Sequence, residues 1–409
     1  MILSLTVKNW MSFKDETPWV LVASKERIHR DRIPKKGRLA VSPIAAIFGP
    51  NASGKTNLIE AIRLIQNMVI NGHTASSVIA YAFSSNNEPT KIELEMLIND
   101  RVYVYTVYMT KERIINEELS EIRANKSICL FGREVASDLT QKYHFPHLKC
   151  DERLEKFRLI GKKTETNKLF LNLCSDKIGR SVIDSTLGGW IWEYDDIIEW
   201  FKMLFVLNQN SFQRMLGFPF PVKLDVLYGG KIWDIIDDPI KSKQLAEWLY
   251  SLDTGIIRLD IGPNQFGHRE LMTIYRDHTG GEVRLSADQL SSGTIELIRF
   301  LIILMQLKDK KIVLVIDEFG QNFHNDLFKA LIDLCLSYCG PKTRSQLIFT
   351  TQNQSVMTQS ILRLDEMWVV EKHCNKSTLY SFIEFEGLSS RTDVNKRYRQ
   401  GHLGGLPNL

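Results

Sequence analysis

The sharpest chemistry in this chain lies in one short run, GPNASGKTN, from Gly49 to Asn57, with the spacing G-x-x-x-x-G-K-T. A polyphosphate needs many donors converging on a compact negative charge. Glycines let backbone N–H groups turn inward, and a following helix presents its positive end. Gly49, Asn51, Ser53, Gly54 and Asn57 would form such a cradle. Lys55 would neutralise the β- and γ-phosphates of ATP, and Thr56 would give its hydroxyl to Mg²⁺.

That loop calls for an acidic partner at the end of a buried strand. VLVIDE supplies one: the apolar run 312–316 ends at Asp317, placed to hold Mg²⁺ through water. Glu318 follows, and a second carboxylate there can polarise an attacking water. The bland alternative is a pair of exposed carboxylates at a strand end. Asp317 stands 262 positions after Lys55 (317 − 55), so something large is inserted between the two motifs.

LSSGTIEL, residues 290–297, stands shortly before VLVIDE. A Ser-x-Gly-Thr at a helix start is a second anion-binding turn. Taken alone it reads equally as a plain helix cap. One site has little use for two such loops on the same side of one phosphate, whereas two subunits do. One would supply Lys55 while the other lays Ser291 and Gly293 over the γ-phosphate, sandwiching the nucleotide between two heads.

Several elements must position these residues. ILSLTVKNW alternates as a half-buried strand at the start of the chain. IAAIF, 44–48, is a short apolar strand running into the glycine loop, and apolar residues at 58, 61, 62, 65, 68 and 69 give helical periodicity after it. KIELEMLI and RVYVYTVYM alternate around Asn99-Asp100 and predict a hairpin. From about 111 to 245 the composition is mixed and mostly helical in period, which suggests an insertion. Strands are expected at 254–261 and 270–277, then a helix over about 294–306, a strand to 316, a helix over about 325–338, a strand at 346–350 and a last strand pair. Buried strands alternating with helices mean an α/β fold with a mainly parallel sheet, beside an antiparallel β subdomain and an inserted helical subdomain. The expected division is 1–110, 111–245 and 246–409.

The 409 residues, 44% apolar and 24% charged, are those of an ordinary globular chain, and a net charge of +4 neither demands nor excludes nucleic acid. None of the six cysteines forms a C-x-x-C pair; Cys335 and Cys339 sit one helical turn apart in an apolar run and read as buried thiols. No apolar run is long enough to span a bilayer, and the start of the chain lacks a secretion signal, so a cytoplasmic protein without membrane contact is expected.

The order of these blocks resembles the ABC-type ATPase heads of the SMC, RecF and OLD group: N-terminal strand, phosphate loop, long insertion, signature, acidic strand end. More narrowly, VKNWMSFKDE, FGPNASGKTN, LSSGTIEL, VLVIDEFGQNFH, LIFTTQN, DEMWVVEK and RYRQGHLGGLP are similar to the stand-alone ATPases of bacterial abortive-infection and phage-defence operons. The resemblance implies that Lys55 and Thr56 bind phosphate and Mg²⁺, that Asp317 holds Mg²⁺ and that Glu318 is the general base. It implies a homodimer or larger homo-oligomer through ATP-sandwiched heads, and a separate effector, a nuclease or another toxin.

The sequence departs from that pattern in places. Where the family often has Thr-Thr-His, this chain has Thr350-Thr351-Gln352. Gln352 can hydrogen-bond but carries no charge, which implies slow hydrolysis. Gln66 and Gln209 are candidates for the glutamine that couples Mg²⁺ to the insertion, and His324 reads equally as a residue at the head-to-head contact or as a satisfied structural histidine. The basic segment holding Lys25, Arg27, Arg30, Arg32, Lys35, Lys36 and Arg38 reads either as a phosphate patch, for DNA, RNA or the nucleotide, or as a solvated loop. The aromatic run Trp190, Trp192, Tyr194, Trp200, Phe201 and Phe205 reads as core or interface before base stacking. No His/Asp/Glu cluster has metal-site spacing, and no nuclease constellation stands in the tail. The expected function is the sensor or scaffold of an anti-phage system. The alternatives are a DNA-repair ATPase of the RecF kind that clamps DNA, and an assembly protein that holds ATP without turnover.

Overall fold

The computed structural model describes residues 1–409 except 86, 125, 147–163, 176–191, 208–230, 264–266, 268, 390–391 and 406–409. They form two compact units. The first comprises Met1–Val206, Lys311–Phe319 and Cys339–Leu409, and the second Leu207–Lys310 and Gly320–Tyr338.

The first unit contains two large sheets. Strands β1 (Ile2–Lys8), β2 (Thr17–Val20), β6 (Thr90–Ile98), β7 (Arg101–Met109), β8 (Ile114–Arg123), β9 (Lys126–Val135) and β10 (Gln141–His144) make a seven-stranded sheet in the order β10-β9-β8-β7-β6-β1-β2. Every pair in it is antiparallel. Asn99 and Asp100 make the β6–β7 turn with φ of 45° and 65°, the left-handed pair a two-residue hairpin requires.

The second sheet carries the site. Strands β5 (Ile44–Phe48), β11 (Leu204–Leu207), β15 (Val313–Ile316), β16 (Gln346–Thr350), β17 (Met367–His373) and β18 (Lys376–Ser381) lie in the order β11-β15-β16-β5-β17-β18. The pairs β15/β16, β16/β5 and β5/β17 are parallel, and β17/β18 is antiparallel. All five residues of β5 and all four of β15 are buried, as in a parallel sheet covered on both faces. Helix α1 (Lys55–Asn71) follows β5 and buries Leu58, Ile59, Ile62, Ile65, Met68 and Val69 in the main core. Each such side chain contributes roughly 1.5–3 kcal/mol. Short strands β3 (Lys35–Lys36) and β4 (Leu39–Ala40) pair in the basic segment.

The segment expected to be a helical insertion from 111 opens instead with the strands β8, β9 and β10. The physical reason is a buried polar network. Glu117, fully buried, accepts from Tyr105 Oη (2.8 Å), Phe170 N (2.7 Å) and Leu171 N (3.0 Å), and pairs with buried Arg133 at 3.4 Å. A buried Glu and Arg interrupt the apolar alternation by which a strand is recognised. Among the described residues the helices begin later: α2 (Phe170–Ser175), α3 (Trp192–Lys202), α4 (Lys231–Asp237) and α5 (Pro239–Ser251). Tyr194, Trp200 and Phe201 lie in the core of the first unit and Phe205 is half-buried; Trp190 and the Trp192 side chain lie outside the described residues.

The second unit holds α4, α5 and a three-stranded antiparallel sheet of β12 (Arg258–Pro263), β13 (Arg269–Arg276) and β14 (Glu282–Ser286), with α6 (Ser292–Asp309) and α7 (Asn325–Tyr338). Cys335 and Cys339 are buried, and burial pushes the Cys339 thiol up to about 12. No helix among the described residues is long and apolar enough to cross a membrane.

Candidate functional site

Three consecutive parallel strands deliver the sequence motifs to one edge of the sheet. With β15, β16 and β5 in parallel register, Gly49, Asp317 and Thr351 all leave at the carboxyl ends. In open α/β sheets ligands bind outside those ends.

The loop itself is built for close approach. Gly49 has φ of +144°, and a Cβ there would stand 2.4 Å from Val370 O. Gly54 has φ of +115°, and its Cβ would meet Ser377 Oγ at 2.5 Å and Ser12 Oγ at 2.7 Å. Both positions therefore need glycine. Gly54 is also the cap of α1 and, having no side chain, makes no capping bond to the first-turn N–H groups. Two serines brace the loop from outside. Ser377 Oγ donates to Ser53 O and accepts from Ser12 Oγ at 2.7 Å, and Asn57 Nδ2 donates to Ser12 Oγ at 2.6 Å. Trp10 Nε1 donates to Asn57 O at 2.7 Å.

Lys55 is buried, and its Nζ donates to Gly49 O at 2.7 Å and Pro50 O at 2.8 Å. Burial pulls its ammonium below the ordinary value, while the carboxylates of Asp317 and Glu318 pull it up. Thr56 Oγ1 donates to Asp317 Oδ2 at 2.9 Å, and Thr350 Oγ1 donates to Asp317 Oδ1 at 2.5 Å. Glu318 takes the left-handed conformation at φ +57°, costly for a residue with a side chain. Its N–H is held by Thr350 Oγ1 at 2.7 Å. Thr351 N donates to Ile47 O at 3.0 Å and its hydroxyl to Phe319 O at 2.8 Å, so the turn before Gln352 is fixed to both neighbouring strands.

A cavity of about 310 Å³ opens beside the loop, lined by Phe48, Gly49, Pro50 and Asn51, by Thr351, Gln352 and Gln354, and by Tyr398 and Gly405. Gln352 is exposed at its rim. The last two residues belong to the terminal segment RYRQGHLGGLP, which carries part of the family resemblance but to which the sequence assigns no role in the site.

The residues fit a nucleotide and its metal. Ser53 Oγ is buried and makes no hydrogen bond among the described residues, an orphaned donor inside the loop. The Thr56 hydroxyl and the Asp317 carboxylate are hard oxygen donors already brought together, the kind Mg²⁺ takes. Among the described residues no group of three or more His, Cys, Asp or Glu side chains could hold a metal.

Other candidates fall elsewhere. Gln66 Nε2 donates to Phe201 O at 2.9 Å and to Leu204 O, fastening α1 to the end of α3 and the start of β11; Gln209 lies outside the described residues. Ser291 and Gly293 lie in the second unit. There Ser291 caps α6, accepting from Thr294 N at 3.1 Å, and Asn322 Nδ2 donates to Glu296 Oε2 at 2.8 Å. His324, in the same unit, is exposed, 3.8 Å from Asp326.

The basic segment is anchored away from the loop. Arg363, fully buried, donates to Ile28 O at 2.7 Å and Glu26 O at 3.1 Å, and Arg32 pairs with Glu366. These anchors precede Met367, at the amino end of β17, whereas Gly49 stands at the carboxyl end of β5. Met367 pairs with Ala46 and Val369 with Phe48, so about 10 Å of strand separates Met367 from the level of Gly49, and these anchors hold the segment toward the other end of the strands.

No curated protein matches the sequence. Among solved structures the chain is similar to the SMC head domain from Thermotoga maritima, at 13% identity and TM-score 0.44 over 93% of this chain and 98% of that one. It is similar to the Smc head domain from Pyrococcus furiosus bound to the C-terminal domain of ScpA, at 14% identity and TM-score 0.45 over 93% and 96%. It is also similar to the recombination mediator protein RecF-ATPrS of the RecFOR pathway, at 13% identity and TM-score 0.35 over 93% and 98%. A family model matches residues 44–128 and 194–358, which include the glycine loop, Ser291, Gly293, Asp317, Glu318 and Gln352. That match covers more than half of the sequence, and the chain belongs to the family it describes: AAA domain, putative AbiEii toxin, Type IV TA system.

Proposed function

We propose that this chain binds Mg-ATP in the Gly49–Asn57 loop and hydrolyses it slowly. In this reading it is the cytoplasmic sensor or scaffold subunit of a bacterial anti-phage system that controls a separate effector, a nuclease or toxin. The observation that carries the ATPase reading is the chain of hydrogen bonds from Thr56 through Asp317 to Thr350, with Lys55 and Glu318 at the same sheet edge. The anti-phage role and the separate effector rest on the resemblance of the motif blocks to stand-alone defence ATPases.

Each residue has a defined task. Lys55 exchanges the carbonyls of Gly49 and Pro50 for phosphate oxygens, and the uncapped start of α1 adds N–H donors. Thr56 and Asp317 would hold Mg²⁺, which when bound draws charge from the phosphates. The Glu318 carboxylate takes a proton from water, and its strained backbone, tied to Thr350, fixes where it points. Gln352 orients by hydrogen bonding without adding charge, which makes turnover slow. Ser291 and Gly293 of a second copy close the site, so that ATP joins the heads and hydrolysis releases them.

The test of this reading is Lys55→Ala. It loses the one ammonium in the loop, and ATP affinity should fall at least about tenfold, the usual cost of a charge-assisted contact. Wild-type affinity in calorimetry would remove the site.

A second reading, a DNA-clamping repair ATPase, draws on Lys25, Arg27, Arg30, Lys35 and Arg38, all exposed on the anchored segment. A gel shift on duplex DNA that weakens steeply with salt and with neutralisation of these residues would favour it. Normal ATP binding without phosphate release would favour a purely structural nucleotide.

A further inference from the structure

The cavity beside the phosphate loop poses an electrostatic problem. It is lined at one side by Gly49, Pro50 and Asn51 and at the other by Thr351, Gln352 and Gln354, and among the described residues none of its lining side chains is charged. A terminal phosphate facing it would carry concentrated charge, with Lys55 as the ammonium of the loop. At position 352, glutamine adds no charge.

The terminal segment brings a cation to this wall. Helix α8 (Val394–Arg399) is capped by Asp393, whose side chain accepts from Lys396 N. Arg399 Nε donates to Gln354 Oε1 at 3.0 Å, and Asn395 Nδ2 donates to Gln354 O at 2.6 Å. Gln354 is thus gripped at its side chain and at its backbone. The segment is held again beyond the helix: Tyr398, buried and stacked on Phe382, donates from its hydroxyl to Gly405 O at 2.6 Å, and Gly405 N donates to Glu371 Oε1 at 2.5 Å. Gly405 sits at φ +69°, where a Cβ would stand 2.3 Å from Val369 Cγ2. The backbone at 405 therefore lies directly on β17. Arg399 uses one of five guanidinium N–H groups on Gln354. The charge it carries stands one side chain away from the cavity.

We propose that Arg399 is a positioning residue that makes the site favour a nucleoside triphosphate over a diphosphate. It holds Gln354 in the cavity wall and supplies, from the terminal segment, the positive charge that Gln352 lacks. This rests on the nucleotide reading of the loop. The terminal segment is then part of the nucleotide site.

The experiment measures ATP and ADP affinity, each with Mg²⁺, for wild type, Arg399→Ala and Arg399→Lys in the full chain. Arg399→Ala should weaken ATP about tenfold and leave ADP within about twofold, and Arg399→Lys should recover part of the ATP loss because charge is kept. Retained ADP binding shows that the variant is folded. An ATP-to-ADP preference unchanged in Arg399→Ala overturns the proposal while leaving the loop assignment intact. Equal loss of both nucleotides in the Ala and Lys variants also overturns it, since that is the signature of a segment that merely packs. Wild-type protein that binds neither nucleotide overturns the loop assignment itself.

Discussion

Thr56 and Asp317, 261 positions apart, are joined by a hydrogen bond of 2.9 Å from Oγ1 to Oδ2. The bond links the first turn of α1 to the end of β15, although β16 runs between β15 and β5. Thr350, at the end of that intervening strand, closes the span by bonding the other carboxylate oxygen. A long insertion in sequence is therefore no separation in space.

The loop's glycines set a stability prediction. Gly54→Ala places a Cβ within 2.7 Å of two serine oxygens at a left-handed backbone position. It should lower unfolding free energy by roughly 1–3 kcal/mol and abolish ATP binding with it. A variant that melts with wild type and binds ATP normally would mean that the loop relaxes freely and that its shape is not what the site depends on.

The anchor of the basic segment predicts a pH dependence. Burial pushes the Glu366 carboxyl up to about 7, against the pull of Arg32. Its folded value therefore lies above its unfolded value, near the ordinary range. The folded state keeps this proton longer, so stability from the group is full below about pH 4.5 and is lost as pH rises through about 7. Glu366→Gln removes that slope. Its melting temperature relative to wild type should rise between pH 5 and pH 8; parallel profiles across that window would contradict the buried, raised carboxyl.

The signature makes an architectural prediction. Ser291 caps a helix in the second unit, and a trans role would add γ-phosphate contact to that cap. Lys55→Ala subunits and Ser291→Arg subunits should each be inactive alone. In a mixed dimer one composite site carries both lesions and the other neither, so up to about half of wild-type activity should return. Verified mixed dimers with no recovered activity would return LSSGT to an ordinary helix cap.

Much of the sheet edge that carries the glycine loop was legible in the sequence because it is built from local signals. The run 44–48 is β5, the periodicity after Thr56 is α1, 346–350 is β16 and the expected helix over 325–338 is α7. The hairpin at Asn99-Asp100 was marked by its turn residues. Strands β8 and β9 were hidden by Glu117 and Arg133, whose burial is satisfied by each other, by neighbouring strands and by backbone groups around residues 165–171. The terminal segment was hidden for the same reason. Nothing local in RYRQGHLGG says that Tyr398 and Gly405 line a cavity with Gly49. Contacts set by long-range topology leave no period to read.

Phosphate release by Glu318→Gln, measured beside ATP binding on the same sample, tests the central claim most directly. The amide keeps the shape of the side chain and loses the base. The account predicts ATP binding close to wild type, phosphate release slowed at least about a hundredfold, and accumulation of an ATP-bound dimer. Phosphate release at the wild-type rate, with ATP bound, would contradict the assignment of Glu318 and with it the reading of this sheet edge as an ATPase site.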